Sequence, residues 1–110
     1  MRKANIYKNG LLAGVLVESE EGYMFQYDTE YLNTHDAKPI SLTMPINQAI
    51  FKDKVLFSFF DGLIPEGWLL AIAEKNWKLN ARDRMGLLLM CCKENIGDIS
   101  VEAINEVDYE

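Results

Sequence analysis

At 110 residues the chain has the length of one compact domain, residues 1–110, and its 49% hydrophobic and 25% charged side chains place it among folded globular proteins rather than disordered ones. Eleven basic residues against seventeen acidic ones leave a net charge of −6, which repels polyanions and excludes a basic phosphate-binding surface, so no direct nucleic-acid ligand is expected. No apolar run approaches the roughly 18 residues of a membrane span, no signal-like stretch follows Met1, and the two cysteines, Cys91 and Cys92, are neighbours that rarely satisfy disulfide geometry; a reducing cytoplasm is the expected compartment.

The first thirty residues read as strands. Ile6 and Tyr7 lead into Asn9-Gly10, the dipeptide that most readily supplies two positive φ angles, and Leu11 to Val17 offers the return strand. Gly14 inside that run predicts a bulge or a close approach by another backbone. Glu20-Glu21-Gly22 makes the next turn, and Tyr23, Phe25 and Tyr27 alternate with Met24 and Gln26 as a third strand. Asp28 is placed to cap a short helical turn from Glu30 to Leu32. Asn33 to Lys38 is a polar loop ending at Pro39, Ile40 to Met44 reads as a fourth strand before Pro45, and Asn47 to Lys54, whose apolar residues show no settled period, reads as a loop.

From Val55 the pattern becomes helical. Val55 and Phe59, like Leu56 and Phe60, recur at a spacing of four, with Asp53 a candidate cap. Asp61 to Gly67 interrupts this with two glycines and a proline. A second helix is predicted from Trp68 to Trp77, with Leu69, Ile72, Ala73 and Trp77 inward. Asn80 is the expected cap of a third, Asp83 favours its amino end, and Met85 to Cys92, apolar nearly all round, should be buried. Ile96 to Ile104 closes the chain as a half-exposed strand with Ile99, Val101 and Ala103 on one side. The expected fold is α+β: a curled antiparallel sheet of about five strands, partly barrel-like, with three helices packed on one side.

The chemistry-bearing residues do not assemble a reaction centre. The single histidine, His35, sits in a polar loop and reads as solvated rather than as a general base. Cys91, Cys92 and a distant His35 lack any zinc-ligand spacing, so no metal or cofactor is expected. Asp61 and Glu66 bracket a turn, and capping or solvation explains them better than an acid pair. Asn9 to Gly14 has glycines without the Lys-Ser of a phosphate loop. The vicinal cysteines end an apolar helix, which favours core packing over a redox-sensitive pair. Trp68 follows Pro65-Glu66-Gly67 at the first turn of its helix, where a core role and an interface role are equally compatible with the sequence.

The segments Tyr7 to Gly14, Phe25-Gln26-Tyr27-Asp28, Tyr31-Leu32, Pro39-Ile40-Ser41-Leu42-Thr43-Met44-Pro45, Phe59-Phe60-Asp61-Gly62-Leu63-Ile64-Pro65-Glu66-Gly67 and Ile96 to Val101 occur in the order seen in the amino-terminal subdomain of HipA-type toxin kinases, and the resemblance spans nearly the whole chain. It implies a component of a bacterial toxin–antitoxin system. The catalytic loop and metal-binding residues of those serine/threonine kinases lie in a larger carboxyl-terminal domain, so no phosphoryl transfer is expected from this sequence. A free-standing copy resembles the small HipS-like antitoxin of HipBST-type systems. The partner so implied is a HipA-like, HipT-type kinase, with a helix-turn-helix DNA-binding protein joining through the complex. The expected role is a non-catalytic antitoxin that inhibits the kinase; the alternative is a structural complement, needed for the kinase to fold or assemble but silent on its activity. The candidate partner-binding residues are Phe60, Asp61, Leu63, Pro65, Glu66, Gly67 and Trp68, with Trp68 as anchor.

Overall fold

The computed structural model describes residues 1–75, 80–92 and 97–104. In chain order the elements are β1 (Arg2–Lys8), β2 (Leu11–Ser19), β3 (Gly22–Tyr27), α1 (Thr29–Leu32), β4 (Ile50–Asp53), α2 (Ser58–Asp61), α3 (Glu66–Lys75), α4 (Arg84–Cys91) and β5 (Ile99–Ile104). The fold is α+β. Its strands form one antiparallel sheet in the order β4-β3-β2-β1-β5, which stays open with β4 and β5 at its edges.

The expected meander is present. Asn9 and Gly10 take φ angles of 52° and 81°, the turn that matches the right-handed twist of the strands it joins. Asn9 N–H donates to the Asp98 carbonyl at 2.8 Å, tying the hairpin tip to the entry of β5. At Gly14 both sequence expectations hold. The β1–β2 register slips between Ile6 and Tyr7, leaving Ala13 as the extra residue of a bulge, and a Cβ on Gly14 would stand 2.4 Å from the Gln26 carbonyl oxygen.

The register carries Ala4, Leu16, Phe25 and Phe51 across one face of the sheet, and on that face the core is built. Phe25 meets Tyr27 edge-on at 5.0 Å and Phe60 of α2 at 5.7 Å, and Phe60 in turn meets Phe57 and Phe59. Such tilted contacts add to the stabilisation from apolar burial.

The fourth strand is not where the hydrophobic pattern puts it. Ile40 to Met44 is a tight turn, closed by Met44 N–H to the Ser41 carbonyl at 3.0 Å, with Leu42 at its tip 96% exposed. Buried hydroxyls replace a strand ladder here. Tyr27 Oη donates to the Met44 carbonyl and accepts from Ile40 N–H, while Tyr31 Oη donates to the Lys38 carbonyl. The strand lies instead at Ile50–Asp53, inside the stretch expected to be a loop. As an edge strand it packs only Phe51 against the core and leaves Ile50, Lys52 and Asp53 exposed, so it shows no apolar period.

Two helices, α2 and α4, are shorter than their periodicity suggests. α2 is one turn, without a side-chain cap; Val55 lies outside it, exposed, and Asp53 Oδ1 instead accepts from Lys54 N–H at 2.7 Å in the turn after β4. α3 starts at Glu66, directly after Pro65, two residues before the expected start, and Trp77 falls outside the described residues. Asp83, not Asn80, caps α4, accepting from Gly86 N–H at 3.1 Å; Asn80 Oδ1 only closes a turn with Arg82 N–H. α4 buries Met85, Leu87 and Leu88 but exposes Met90, so it is covered on one face rather than all round. Asp28 caps α1 as expected, accepting from Tyr31 N–H. In β5, Ile99 and Val101 are buried, whereas Ala103, expected inward, is exposed near the strand end; Ile96 lies outside the described residues.

Candidate partner-docking surface

The connection from α2 to α3 is a shaped surface segment. Gly62 N–H donates to the Ser58 carbonyl, Leu63 N–H to Phe60 and Ile64 N–H to Asp61, winding the chain tightly out of α2, and Leu69 N–H to the Pro65 carbonyl opens α3. Core packing and an ion pair both hold it. Ile64 is buried in the core, and Asp61 Oδ1 accepts from Arg84 Nε at 2.6 Å, joining the segment to α4.

Against this frame the seven candidate residues separate. Phe60 is 0% exposed, with its ring locked among other aromatics, so it cannot touch a partner; it is the floor on which the segment rests. Asp61 is half-exposed, but the oxygen it offers is engaged by Arg84. Leu63 is half-buried, and its carbonyl lies 3.9 Å from Cys92 Sγ. Pro65, Glu66 and Gly67 are exposed, and a Cβ added at Gly67 would meet nothing within 4 Å. Trp68 is half-buried: part of the indole packs on the core and part remains open.

The sequence reading missed Leu70, which is 67% exposed. The signal was available: Leu69, Leu70, Ala71 and Ile72 are four consecutive apolar residues, and a helix cannot turn all of them to one side. Among the described side chains of α3 none is fully buried, and Trp68, Leu69 and Ile72 are all partly open. An apolar helix with so little cover is the kind of surface that marks a contact site.

A charged network links this segment, through α4, to β1 and β2. Arg2 grips Glu18 through Nε (2.6 Å) and Nη2 (2.9 Å), and Asp83 through Nη2 (2.7 Å) and Nη1 (3.1 Å). Hydrogen bonds from Arg2 hold both carboxyls below their ordinary range, and Arg2 itself is raised by the same contacts. Asp83 is the cap of α4, and Arg84, the next residue, reaches Asp61. A Cβ on Gly86 would stand 2.3 Å from Asp83 Oδ2, so a side chain there would press on the capping carboxylate. Asp98, in the last of the recognisable segments, pairs with Lys8 at the hairpin end.

Other chemistry is sparse. His35 is almost fully exposed beside Asp36. Among the described residues no group of three His, Cys, Asp or Glu side chains gathers to hold a metal ion. A surface depression of about 440 Å³, lined by Val17, Tyr23, Met24, Lys52 and Asp53 among others, contains neither histidine nor cysteine. No helix among the described residues is long and apolar enough to cross a membrane.

An uncharacterised protein of Haemophilus influenzae is 28% identical over 102 residues, which are 93% of this chain and 92% of that protein. A solved structure of the N-terminal domain of HipA toxin matches with a TM-score of 0.77 at 28% identity, covering 96% of this chain and 95% of that one. The family model of the HipA N-terminal domain matches residues 4–102. With that match running from β1 into β5, the chain belongs to the HipA N-terminal domain family.

Proposed function

We propose that this protein is a non-catalytic antitoxin, a regulatory subunit that binds a HipA-like serine/threonine kinase carried on a separate chain and inhibits it. The observation behind the proposal is the uncovered apolar character of α3 and the shaped segment leading into it. Leu63, Pro65, Gly67, Trp68 and Leu70 form the contact, and Asp61 and Phe60 hold it from behind. Binding inhibits only if the segment fits the inactive arrangement of the kinase better than the active one, since a ligand shifts an equilibrium by its differential affinity alone. Trp68 serves as anchor because a flat indole, already half-immobilised by the core, pays little conformational entropy on docking.

The test is a kinase assay and a titration with Trp68→Ala. Loss of about 2 kcal/mol of binding, about 30-fold in Kd, is expected, with relief of inhibition to match. A parallel thermal melt shows that the variant is folded, and undiminished inhibition at unchanged affinity removes Trp68 from the interface. Co-expression separates inhibition from structural complementation. A kinase toxic alone and harmless with this chain supports the antitoxin reading; one insoluble alone and active only with the chain supports the complement.

A further inference from the structure

Cys91 and Cys92 end α4 as free thiols with their sulfurs 3.1 Å apart, inside ordinary non-bonded sulfur contact. Cys91 is half-exposed and Cys92 fully buried. The main chain around them is pinned, for Cys92 N–H donates to the Leu88 carbonyl at 3.1 Å and the Cys92 carbonyl accepts from Val101 N–H of β5 at 2.8 Å. Closing a bond between the two sulfurs therefore moves both side chains and strains this pinned main chain. Cys92 Sγ is the one that matters for the surface, because it lies 3.9 Å from the carbonyl of Leu63, where the chain leaves α2 for the docking segment.

We propose that Cys91 and Cys92 are a dithiol modification site: a small disulfide of the glutathione class converts the pair to a vicinal disulfide and thereby draws Cys92 Sγ away from the Leu63 carbonyl. The accessible Cys91 thiolate attacks one sulfur of the reagent, forming a mixed disulfide and expelling one thiolate. Cys92 then loses its proton to solvent and its sulfur attacks that of Cys91, expelling the second thiolate. Two electrons and two protons pass from the pair to the reagent, which ends as two thiols. Burial and the neighbouring Cys91 push the Cys92 thiol well above its ordinary range, so the second step is the slower one. The product is reversible for a geometric reason. Neighbouring Cα atoms stand about 3.8 Å apart across a trans peptide, short of the roughly 4.4–6.8 Å of ordinary disulfides, and strained disulfides are the easily reduced ones. The bearing of this site on partner binding rests on the function proposed above; the thiol chemistry does not.

The test uses the purified full chain, reduced, exposed to oxidised glutathione, then denatured and alkylated for intact-mass measurement. Expected are the loss of two hydrogens, no alkylated cysteine and full recovery with dithiothreitol, whereas Cys92→Ala stops at the glutathione adduct on Cys91. Two alkylatable thiols in the treated parent, or an adduct that never resolves there, overturn the site. Hydrogen exchange over residues 62–69 reads the coupling: oxidation should speed it severalfold in the parent and leave Cys91→Ser unchanged. A disulfide that forms with no change in that exchange overturns the coupling. Kinase binding enters neither readout, so failure of the antitoxin reading is seen separately.

Discussion

Gly14→Ala tests the close approach on which the sheet geometry depends. The added Cβ would sit 2.4 Å from the Gln26 carbonyl oxygen and 2.6 and 2.9 Å from Cζ and Cε1 of Phe25, about 1 Å short of ordinary contact. Neither neighbour has room to yield. The Gln26 oxygen belongs to the main chain of β3, paired on both sides, and the Phe25 ring is fully buried between Tyr27 and Phe60. Overpacking of this kind costs about 1–3 kcal/mol, and a rigid neighbour puts it at the upper end. Restricting the unfolded chain returns about 0.5 kcal/mol, leaving a net loss of about 2.5 kcal/mol. That is a large share of the roughly 5–15 kcal/mol that holds a domain together, and lowers the melting temperature by about 10 °C or more. Urea unfolding followed by circular dichroism should show the lower midpoint with an unchanged slope. A variant within about 0.5 kcal/mol of the parent would refute the claim that β2 and β3 close on this glycine.

Gly67→Ala should act in the opposite direction on stability, since the site is open and helical: a gain of up to about 1 kcal/mol in the melt, and, on the proposed docking reading, weaker kinase binding in a titration because the new methyl stands on the proposed contact surface. Tyr27→Phe removes the hydroxyl shared by the Met44 carbonyl and the Ile40 N–H, and two unpaired buried main-chain groups should cost about 2 kcal/mol and speed amide exchange at Ile40. Acid should weaken the fold through Glu18 and Asp83. Their folded pKa values lie below the ordinary ones, so their contribution is complete above the ordinary carboxylate range and disappears as pH falls through the lowered values. With Arg2 and Asp83 both substantially exposed the effect is about 1 kcal/mol, and Arg2→Gln should flatten the dependence of the urea midpoint on pH; equal acid sensitivity of parent and variant would remove the network from the explanation.

What could be read from the sequence is the part of the fold decided by neighbours along the chain. Asn9-Gly10 makes its turn whatever lies beyond it, and Asp28 caps the turn that follows it. The misplaced fourth strand shows the complementary case. Ile40 to Met44 has a strand's composition, but the hydroxyl of Tyr27, thirteen residues before Ile40, offers a better partner than a strand ladder would. The choice of Asp83 over Asn80 as the cap of α4 has the same origin, because both residue types cap equally well and Arg2, eighty-one positions away, decides between them. In the candidate site, the exposure of Pro65, Glu66 and Gly67 follows from a tight local turn, whereas the burial of Phe60 depends on Phe25 of another element. The two distant contacts form one mechanical path. Arg2 fixes Asp83, Asp83 fixes the start of α4, and Arg84 one residue later fixes Asp61 at the root of the candidate docking segment. Periodicity cannot display that path, since each of its links joins residues with no regular spacing, yet it ties β1 to Asp61, where α2 ends and the turn toward α3 begins.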